Sequence, residues 1–301
     1  MNRTINFMGV RNIAFAFTVL LTLLALGSLF AKGLNLGLDF TGGTQIELSY
    51  EQPAELGKIR QQLAGAGYAD AVVQSFGATT DVVVRMQGND ADLGTKVAAA
   101  LRQAGDKLEV KKVEFVGPQV GEELRDQGGL GLLLALGGVM LYLAFRFQWK
   151  FGLGAIISLI HDVIITLGIL SFFQITFDLT VLAALLAIIG YSLNDTIVVF
   201  DRVRENFRVL RNTSLIDNIN ISTTQTLLRT MATSISTLLA IAALLMFAGD
   251  NLFAFSVALF VGVTAGTYSS VYIANVVLVW LDLTVEDLIP PVVAEEVDDR
   301  P

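Results

Sequence analysis

The sequence predicts an α-helical protein that crosses a membrane six times and carries one small water-facing domain. Of its 301 residues, 53% are hydrophobic and 16% are charged, and the mean hydropathy is +0.63, which is too apolar for an ordinary soluble domain. A helix needs about 20 apolar residues to cross a hydrocarbon layer of about 30 Å. Six runs come near that length: 13–31, 128–147, 151–173, 179–200, 226–248 and 252–281.

The first apolar run is expected to remain in the membrane as a helix. Basic residues precede it, as in a signal peptide, but it spans nineteen residues, whereas the apolar part of a signal peptide has about 7 to 15. The chain contains no cysteine, so disulfides, thiol nucleophiles and cysteine-bound metals are excluded. The water-facing domain must therefore be stabilised by its own core.

Basic residues predict which ends of the helices face the cytoplasm. They cluster on one side of the membrane, whereas the turns 174–178 and 249–251 on the other side have none. Because basic loops stay in the cytoplasm, both termini are expected there. The basic residues are Arg3, Arg11, Arg146, Lys150, Arg202, Arg204, Arg208 and Arg211. The expected regions are 1–31 (N-terminus and first helix), 32–127 (external domain), 128–281 (five-helix bundle) and 282–301 (a tail that includes the acidic stretch 295–299).

The external domain is predicted to alternate strands and helices. Apolar alternation, helical spacing and turn residues define its elements. They are a strand at 44–50, a helix at 53–65, strands at 71–76 and 81–86, a helix at 92–104 and a strand at 108–116. The order βαββαβ suggests a ferredoxin-like split βαβ fold, which by itself assigns no chemistry.

Ionisable residues inside the predicted membrane helices are the candidates for function, because a charged side chain costs about 3 kcal/mol or more there. They are His161 and Asp162 in the third helix, Asp195 in the fourth and Arg229 in the fifth. Each could instead form a structural ion pair or reach water at the membrane surface. Burial favours a neutral carboxyl group, whereas a nearby guanidinium favours its anion. If helix movement changes the distance between Asp195 and Arg229, the carboxyl group takes up a proton in one state and releases it in the other.

Hydroxyl side chains accompany these charges. On the fifth helix, five polar residues recur at intervals of four, three, four and three and therefore share one face. We expect this polar seam, with Asn194, to face the bundle interior along a proton path, and Ser158, Asp162 and Thr166 to form a similar line on the third helix. Hydroxyls can also bond to their own backbone and have no further role. The seam consists of Ser222, Thr226, Arg229, Thr233 and Ser236.

Small residues form a stripe in the sixth helix. Gly262, Gly266, Ser270 and Ala274 lie at intervals of four, and such a stripe lets helix backbones approach closely. We expect it to serve packing. The glycine-rich segment 40–44 is expected to be a turn before the first strand, and the chain has no G-x-x-x-x-G-K-[ST] nucleotide-binding pattern.

Four segments resemble motifs of the SecF family of protein-export membrane proteins. The longest reads GYSLNDT at 190–196 and continues through VVFDR at 198–202 to REN at 204–206. It is similar to the fourth-helix motif of that family. The others are LDFTGGT at 38–44, similar to the segment after the first helix, and QTLLRT at 225–230 and GTYSS at 266–270, similar to motifs of the fifth and sixth helices.

This resemblance implies half of a twelve-helix bundle of the resistance-nodulation-division superfamily, in a bacterial inner membrane with the external domain in the periplasm. It implies a SecD partner, the SecYEG translocon with an accessory membrane subunit, and use of the proton motive force on exported polypeptides. It implies proton movement through Asp195 and Arg229, and His161 and Asp162 also fit the family pattern. Membrane lipid is a further expected partner. The resemblance implies no cofactor, metal or nucleic acid, and it implies no enzymatic activity. Asp201, Arg202, Arg204 and Glu205 are expected to form a charge cluster at the inner surface.

Three other functions remain open at this point. Asp162 and Asp195 could be the carboxylate pair of an intramembrane aspartyl protease, although the Gly-x-Gly-Asp context typical of such enzymes is absent. The chain could be a proton-driven small-molecule exporter, although such proteins normally carry all twelve crossings. It could also be a scaffold without an ionic role, in which case asparagine at position 195 should be tolerated.

Overall fold

The computed structural model describes residues 4–86, 92–210, 213–249, 252–284 and 287. Among them, six helical segments are long and apolar enough to cross a membrane, which confirms the predicted number. A 3₁₀ turn, Met8–Val10, precedes the first. The elements are α1 (Arg11–Lys32), β1 (Asn35–Leu36), α2 (Leu38–Thr41), β2 (Gly43–Tyr50), α3 (Leu56–Gly65), β3 (Val72–Phe76), β4 (Ala78–Met86), α4 (Leu93–Gln103), β5 (Leu108–Val116), α5 (Pro118–Arg146), α6 (Trp149–Phe173), β6 (Thr176–Phe177), α7 (Leu179–Val209), α8 (Leu215–Phe247), α9 (Phe253–Val271) and α10 (Ile273–Trp280). Arg3, Arg211, part of the turn 249–251 and the acidic stretch 295–299 lie outside the described residues.

The membrane helices extend beyond several predicted runs, and the last run is divided. Helix α7 ends at Val209 and α8 begins at Leu215, nine residues after and eleven residues before the predicted bounds. Helix α5 begins at Pro118, ten residues before the predicted start, because proline suits the first turn of a helix. The prediction missed these turns because it searched for apolar runs, and the first turns of α5 are polar. The predicted last run is divided at Tyr272 into α9 and α10. The Asn275 side-chain amide donates to the carbonyls of Val271 at 2.8 Å and Ser270 at 3.3 Å, so it bonds to carbonyls that the break leaves without helical partners.

The external domain is a four-stranded antiparallel sheet with two helices. Its strand order is β3-β4-β2-β5, and Ile46 and Leu48 of the central strand β2 alternate into the core. Leu63 of α3 and Val97 of α4 are also fully buried in this core. The predicted order βαββαβ is present, and the ferredoxin-like assignment stays a prediction. The domain therefore has its own apolar core outside the membrane bundle.

A glycine contact joins the external domain to the bundle. The segment after α1 forms the one-turn helix α2 and leaves it at Gly42, which has a φ of +65°. A Cβ atom on Gly42 would lie 2.7 Å from the Cα atom of Pro118, and one on Gly121 would lie 2.7 Å from the Gly42 nitrogen. Both distances are too short for a side chain, so the glycines allow this segment to lie directly on the first turn of α5.

Candidate functional site

A fully buried carboxylate, Asp162, joins three membrane helices. Its Oδ2 atom accepts hydrogen bonds from Ser192 Oγ of α7 at 2.5 Å and from Ser269 Oγ of α9 at 2.7 Å. Its Oδ1 atom lies 3.0 Å from Nδ1 of His161, and all four side chains are buried. A buried carboxylate is tolerated when hydrogen bonds satisfy it. Asp162 therefore fixes α6, α7 and α9 at one point in the interior.

The polar line predicted on α6 faces the interior of the bundle. Ser158, Asp162 and Thr166 are each 0% exposed. Thr166 Oγ1 donates to the carbonyl of Asp162 at 2.8 Å, which satisfies the hydroxyl within its own helix. Ser158 Oγ has no hydrogen-bond partner in the described part of the chain. The interior position of this line is confirmed, whereas a role for it in proton movement stays a prediction.

Asp195 lies one turn beyond Ser192 on α7, and its carboxyl group is less completely bonded than that of Asp162. The residue is 2% exposed, yet its Oδ2 atom has no hydrogen-bond partner among the described residues. Ser234 of α8 lies beside the carboxyl group and shares a 2.7 Å hydrogen bond with Thr267 of α9. Asp195 is thus a buried acid with unused bonding capacity, and the hydroxyl of Ser234 lies next to it.

Arg229 does not form an ion pair with Asp195. Its side chain is exposed on α8, although it is near enough for its charge to act on the Asp195 carboxyl group. The two residues singled out as a pair therefore lie in the same region without direct contact. A change in their separation remains possible only through movement of α8 relative to α7, or of the arginine side chain.

The polar seam predicted on α8 enters the interior of this chain only at its first turns. Ser222 and Thr226 are buried, Thr233 is half-buried, and Arg229 and Ser236 are exposed. The expectation that the whole seam is interior was wrong for this chain, and Asn194 of α7 is exposed as well. Serine and threonine occur on both faces of α8, so their spacing cannot identify the buried one. That face carries Thr223, Thr226, Thr230, Ser234 and Ile241.

The small-residue stripe lies against α7. A Cβ atom on Gly262 would collide with Ile188, and one on Gly266 would lie 2.9 Å from Cβ of Ser192. Ser270 and Ala274 are fully buried, although the break at Tyr272 places Ala274 on α10. The close helix approach that the stripe predicts is present, and it brings Ser192 near the helix that carries Ser269.

Arg85 of the sheet domain between α1 and α5 reaches the adjoining end of the membrane bundle. Its guanidinium donates to Oγ1 of Thr176, between α6 and α7, at 2.7 Å and to Oε1 of Gln45 at 2.9 Å. Longer bonds of 3.3 and 3.5 Å reach Oδ1 of Asn35 and the carbonyl of Leu36. Burial lowers the pKa of Arg85 from its ordinary value, and the nearby Asp178 opposes this change. Sequence reasoning missed this contact, and its one signal was an arginine inside an apolar strand.

Two carboxylates cap the first turn of α7. Oδ1 of Asp178 accepts from the backbone nitrogen of Val181 at 2.9 Å, and Oδ2 of Asp39 accepts from that of Leu179 at 3.0 Å. Such contacts satisfy the free N–H groups of a helix start. Asp39 belongs to the LDFTGGT segment, so that segment contacts α5 and also holds α7, the helix of Asp195.

Six membrane helices, interior carboxylates bonded by hydroxyl groups and an external α+β domain define a multi-pass membrane protein of the transporter type. The family described as "Protein export membrane protein SecD/SecF, C-terminal" matches residues 96–284, and the "SecD/SecF GG Motif" matches residues 27–54. The chain is 74% identical over 300 residues to protein translocase subunit SecF of Pseudomonas aeruginosa, covering 99% of this chain and 98% of that protein. It is 46% identical over 299 residues to the SecF subunit of Vibrio alginolyticus, covering 98% and 95%. The chain belongs to the SecF family.

Solved structures agree with this assignment. The crystal structure of Thermus thermophilus SecDF, described as a translocon-associated membrane protein, matches with a TM-score of 0.86 and 40% identity over 94% of this chain. The match covers 39% of that longer chain. A structure of SecDF in a super-membrane-facing form matches with a TM-score of 0.69. The predicted family and fold class are confirmed.

Proposed function

We propose that this chain is the SecF subunit of a protein translocase and works with a SecD partner to promote export of polypeptides across the cytoplasmic membrane. The names of the relatives support this proposal, as does the match to part of a longer SecDF chain. The proton motive force supplies the energy. The SecYEG translocon, an accessory membrane subunit and the exported polypeptide are further partners, and lipid surrounds the helices.

The proposed orientation places both termini in the cytoplasm and the external domain in the periplasm. The basic residues Arg146, Arg202, Arg204 and Arg208 lie at the ends of α5 and α7 away from the external domain, which agrees with the preference of basic residues for the cytoplasmic side. In this orientation the sheet domain meets the emerging polypeptide. Arg85 and Asp39 connect the sheet domain and the adjoining linker to the outer end of the bundle.

The observation that carries the proton-coupling proposal is the unpaired buried oxygen of Asp195. A carboxyl group in such a position can take up a proton without first breaking a set of hydrogen bonds, whereas Asp162 accepts from two serines and contacts His161. Movement of α8 towards α7 would bring the guanidinium of Arg229 closer to Asp195 and favour the anionic form of its carboxyl group. We assign proton uptake and release to Asp195 and Arg229. The His161–Asp162 pair holds Ser192 one turn away and forms the deeper end of the same polar region.

The test is export driven by a proton gradient into inverted membrane vesicles that contain the whole translocase. Asp195→Asn should remove the gradient-dependent part of export while the protein stays folded and assembled, because an amide cannot exchange the proton. Asp126→Asn is the matched control, since it makes the same change on a membrane helix at an exposed position. Undiminished gradient-driven export by the Asp195 variant would leave a scaffold role for this chain.

An intramembrane aspartyl protease is disfavoured by the hydrogen bonding of Asp162. Such an enzyme needs two carboxylates that share a proton. Within the described residues, Asp162 is bonded to Ser192, Ser269 and His161 and forms no hydrogen bond with Asp195. The two acids therefore lack the arrangement that the chemistry needs.

A further inference from the structure

We propose that a cavity at the inner ends of α5 and α7 binds the phosphate headgroup of an anionic phospholipid. The cavity has a volume of about 370 Å³ and lies where both helices end. This site goes beyond the proposed function, which assigns these residues no part in proton movement or in binding the exported polypeptide. Its lining residues are Arg146, Asp201, Arg204, Glu205, Arg208 and Val209.

Positive charge exceeds negative charge around the cavity. Asp201 accepts from Nη2 of Arg146 at 2.7 and 2.9 Å and lies 3.7 Å from Arg204. Glu205 is paired at 2.6 Å with Arg202. A further guanidinium, that of Arg208, has no ion pair in the described part of the chain. Three guanidinium groups and two carboxylates line the cavity, and a fourth guanidinium, that of Arg202, is paired with Glu205. The cluster therefore carries an excess of positive charge that one or two negative charges would balance.

The arginines also offer hydrogen-bond donors that the chain does not use. Nε of Arg204 is buried and has no partner within the described ranges. The guanidinium groups of Arg146 and Arg204 lie 5.0 and 5.3 Å from the centre of the Phe147 ring, so both like charges are held close to the same ring. Arginine forks match the oxygen atoms of phosphate. A phosphate beside these groups would add to the negative charge that Asp201 already supplies to both guanidinium groups.

The surroundings indicate a lipid phosphate. Phe145 and Trp149 are 85% and 65% exposed beside the cluster, and Val209 on its rim is 70% exposed. Aromatic residues concentrate at the headgroup level of the membrane, and basic pockets between membrane helices on the cytoplasmic side bind lipid headgroups. The charged cavity and its apolar rim therefore fit a headgroup with its acyl chains. Phosphatidylglycerol and cardiolipin carry the one or two phosphodiester charges that the cluster can take.

The experiment measures lipid binding to the purified full-length chain by native mass spectrometry. The probes are cardiolipin, phosphatidylglycerol and zwitterionic phosphatidylethanolamine, with inorganic phosphate as a competitor. Arg208→Gln should lower the affinity for the anionic lipids about fivefold and leave the zwitterionic lipid unchanged. Arg208 is exposed at the end of α7, so the variant should fold, which its unfolding temperature verifies. Arg125→Gln, near the other end of α5, is the matched control and should change nothing.

Three outcomes would overturn the proposal. The first is unchanged affinity in Arg208→Gln, or an equal loss in Arg125→Gln. The second is displacement of the lipid by inorganic phosphate at equal concentration, which would make the cavity a site for free phosphate. The third is lipid binding that occurs only when Glu295, Glu296, Asp298 and Asp299 are changed to their amides, which would make the acidic tail the occupant. The readout is independent of export, so it separates this proposal from the proposed function.

Discussion

The membrane helices fall into two sets that differ in how much of each helix the chain itself covers. In α6, α7 and the α9–α10 span, 56%, 50% and 50% of the apolar stretch is buried, whereas in α1, α5 and α8 the values are 17%, 6% and 17%. Lipid can cover the apolar faces of the second set, but it is a poor solvent for Arg229. Asp195 lies on α7 beside α8, at the boundary between the sets. The difference teaches that Asp195 is held on a helix that this chain itself covers, next to a helix that it leaves mostly uncovered. We call α6, α7 and α9–α10 the inner set, and α1, α5 and α8 the outer set.

The largest expected effect comes from removing the carboxylate that joins the inner set. Asp162→Ala leaves the hydroxyl of Ser192 and the ring of His161 without their hydrogen-bond partner, whereas the hydroxyl of Ser269 keeps its bond to the carbonyl of Gly266 at 3.1 Å. Each buried group left unsatisfied costs about 1–3 kcal/mol, so the unfolding temperature of the purified chain in detergent should fall steeply. Asp162→Asn retains an acceptor oxygen and should lose less. An alanine variant as stable as the unchanged chain would show that these three helices are held by packing alone.

Glycine positions test the same division with matched substitutions. Gly262→Leu places a side chain against Ile188 in the inner set, and overpacking of this kind costs about 1–3 kcal/mol. A Cβ atom on Gly137 of α5 would meet no atom within 4 Å, so Gly137→Leu should leave the thermal stability of the isolated chain unchanged. Equal losses in the two variants would contradict the division into covered and uncovered helices.

Sequence patterns predict the parts of this molecule that the bilayer or local spacing controls. The membrane imposes a length on each crossing, so the six spans were predictable, and so was the burial of Asp162 and Asp195. The partners of Asp162 were not, because Ser192 and Ser269 are 30 and 107 residues away along the chain. The exposure of Arg229 was missed because hydroxyl residues occupy both faces of α8. A helical period identifies a face but not the neighbour that covers it.

A smaller effect is expected in the external domain, which faces water and has its own core. A hydrogen bond from Lys111 and another from Ser49 lower the pKa of Asp81 below its ordinary value. Its contribution to stability is therefore present above the unfolded pKa of about 3.9 and is lost as the pH falls through the lower folded value. Because Lys111 is 48% exposed, Asp81→Asn should cost about 0.2–1 kcal/mol at pH 7.

The measurement for this variant is hydrogen exchange of β2 and β4 at several pH values. The difference in exchange between Asp81→Asn and the unchanged chain should shrink below about pH 4. Protonation then neutralises Asp81 in the unchanged chain, so both chains carry a neutral side chain at this position. A difference that stays constant down to pH 2 would assign the effect to packing. Exchange in α6 and α7 should be the same in both chains, since the external domain has a separate core.

The smallest effect is expected on the uncovered face of α8. Leu228 is 83% exposed and Leu185 of α7 is 0% exposed, so the same leucine-to-alanine change can be made in both sets. Leu185→Ala should cost about 2–5 kcal/mol through lost contacts and a cavity, whereas Leu228→Ala should leave the unfolding temperature of the isolated chain in detergent unchanged. When the chain is produced together with a SecD partner, Leu228→Ala should reduce the yield of the complex if that face is the contact. Loss of stability in the isolated chain would contradict the assignment of this face of α8 as uncovered.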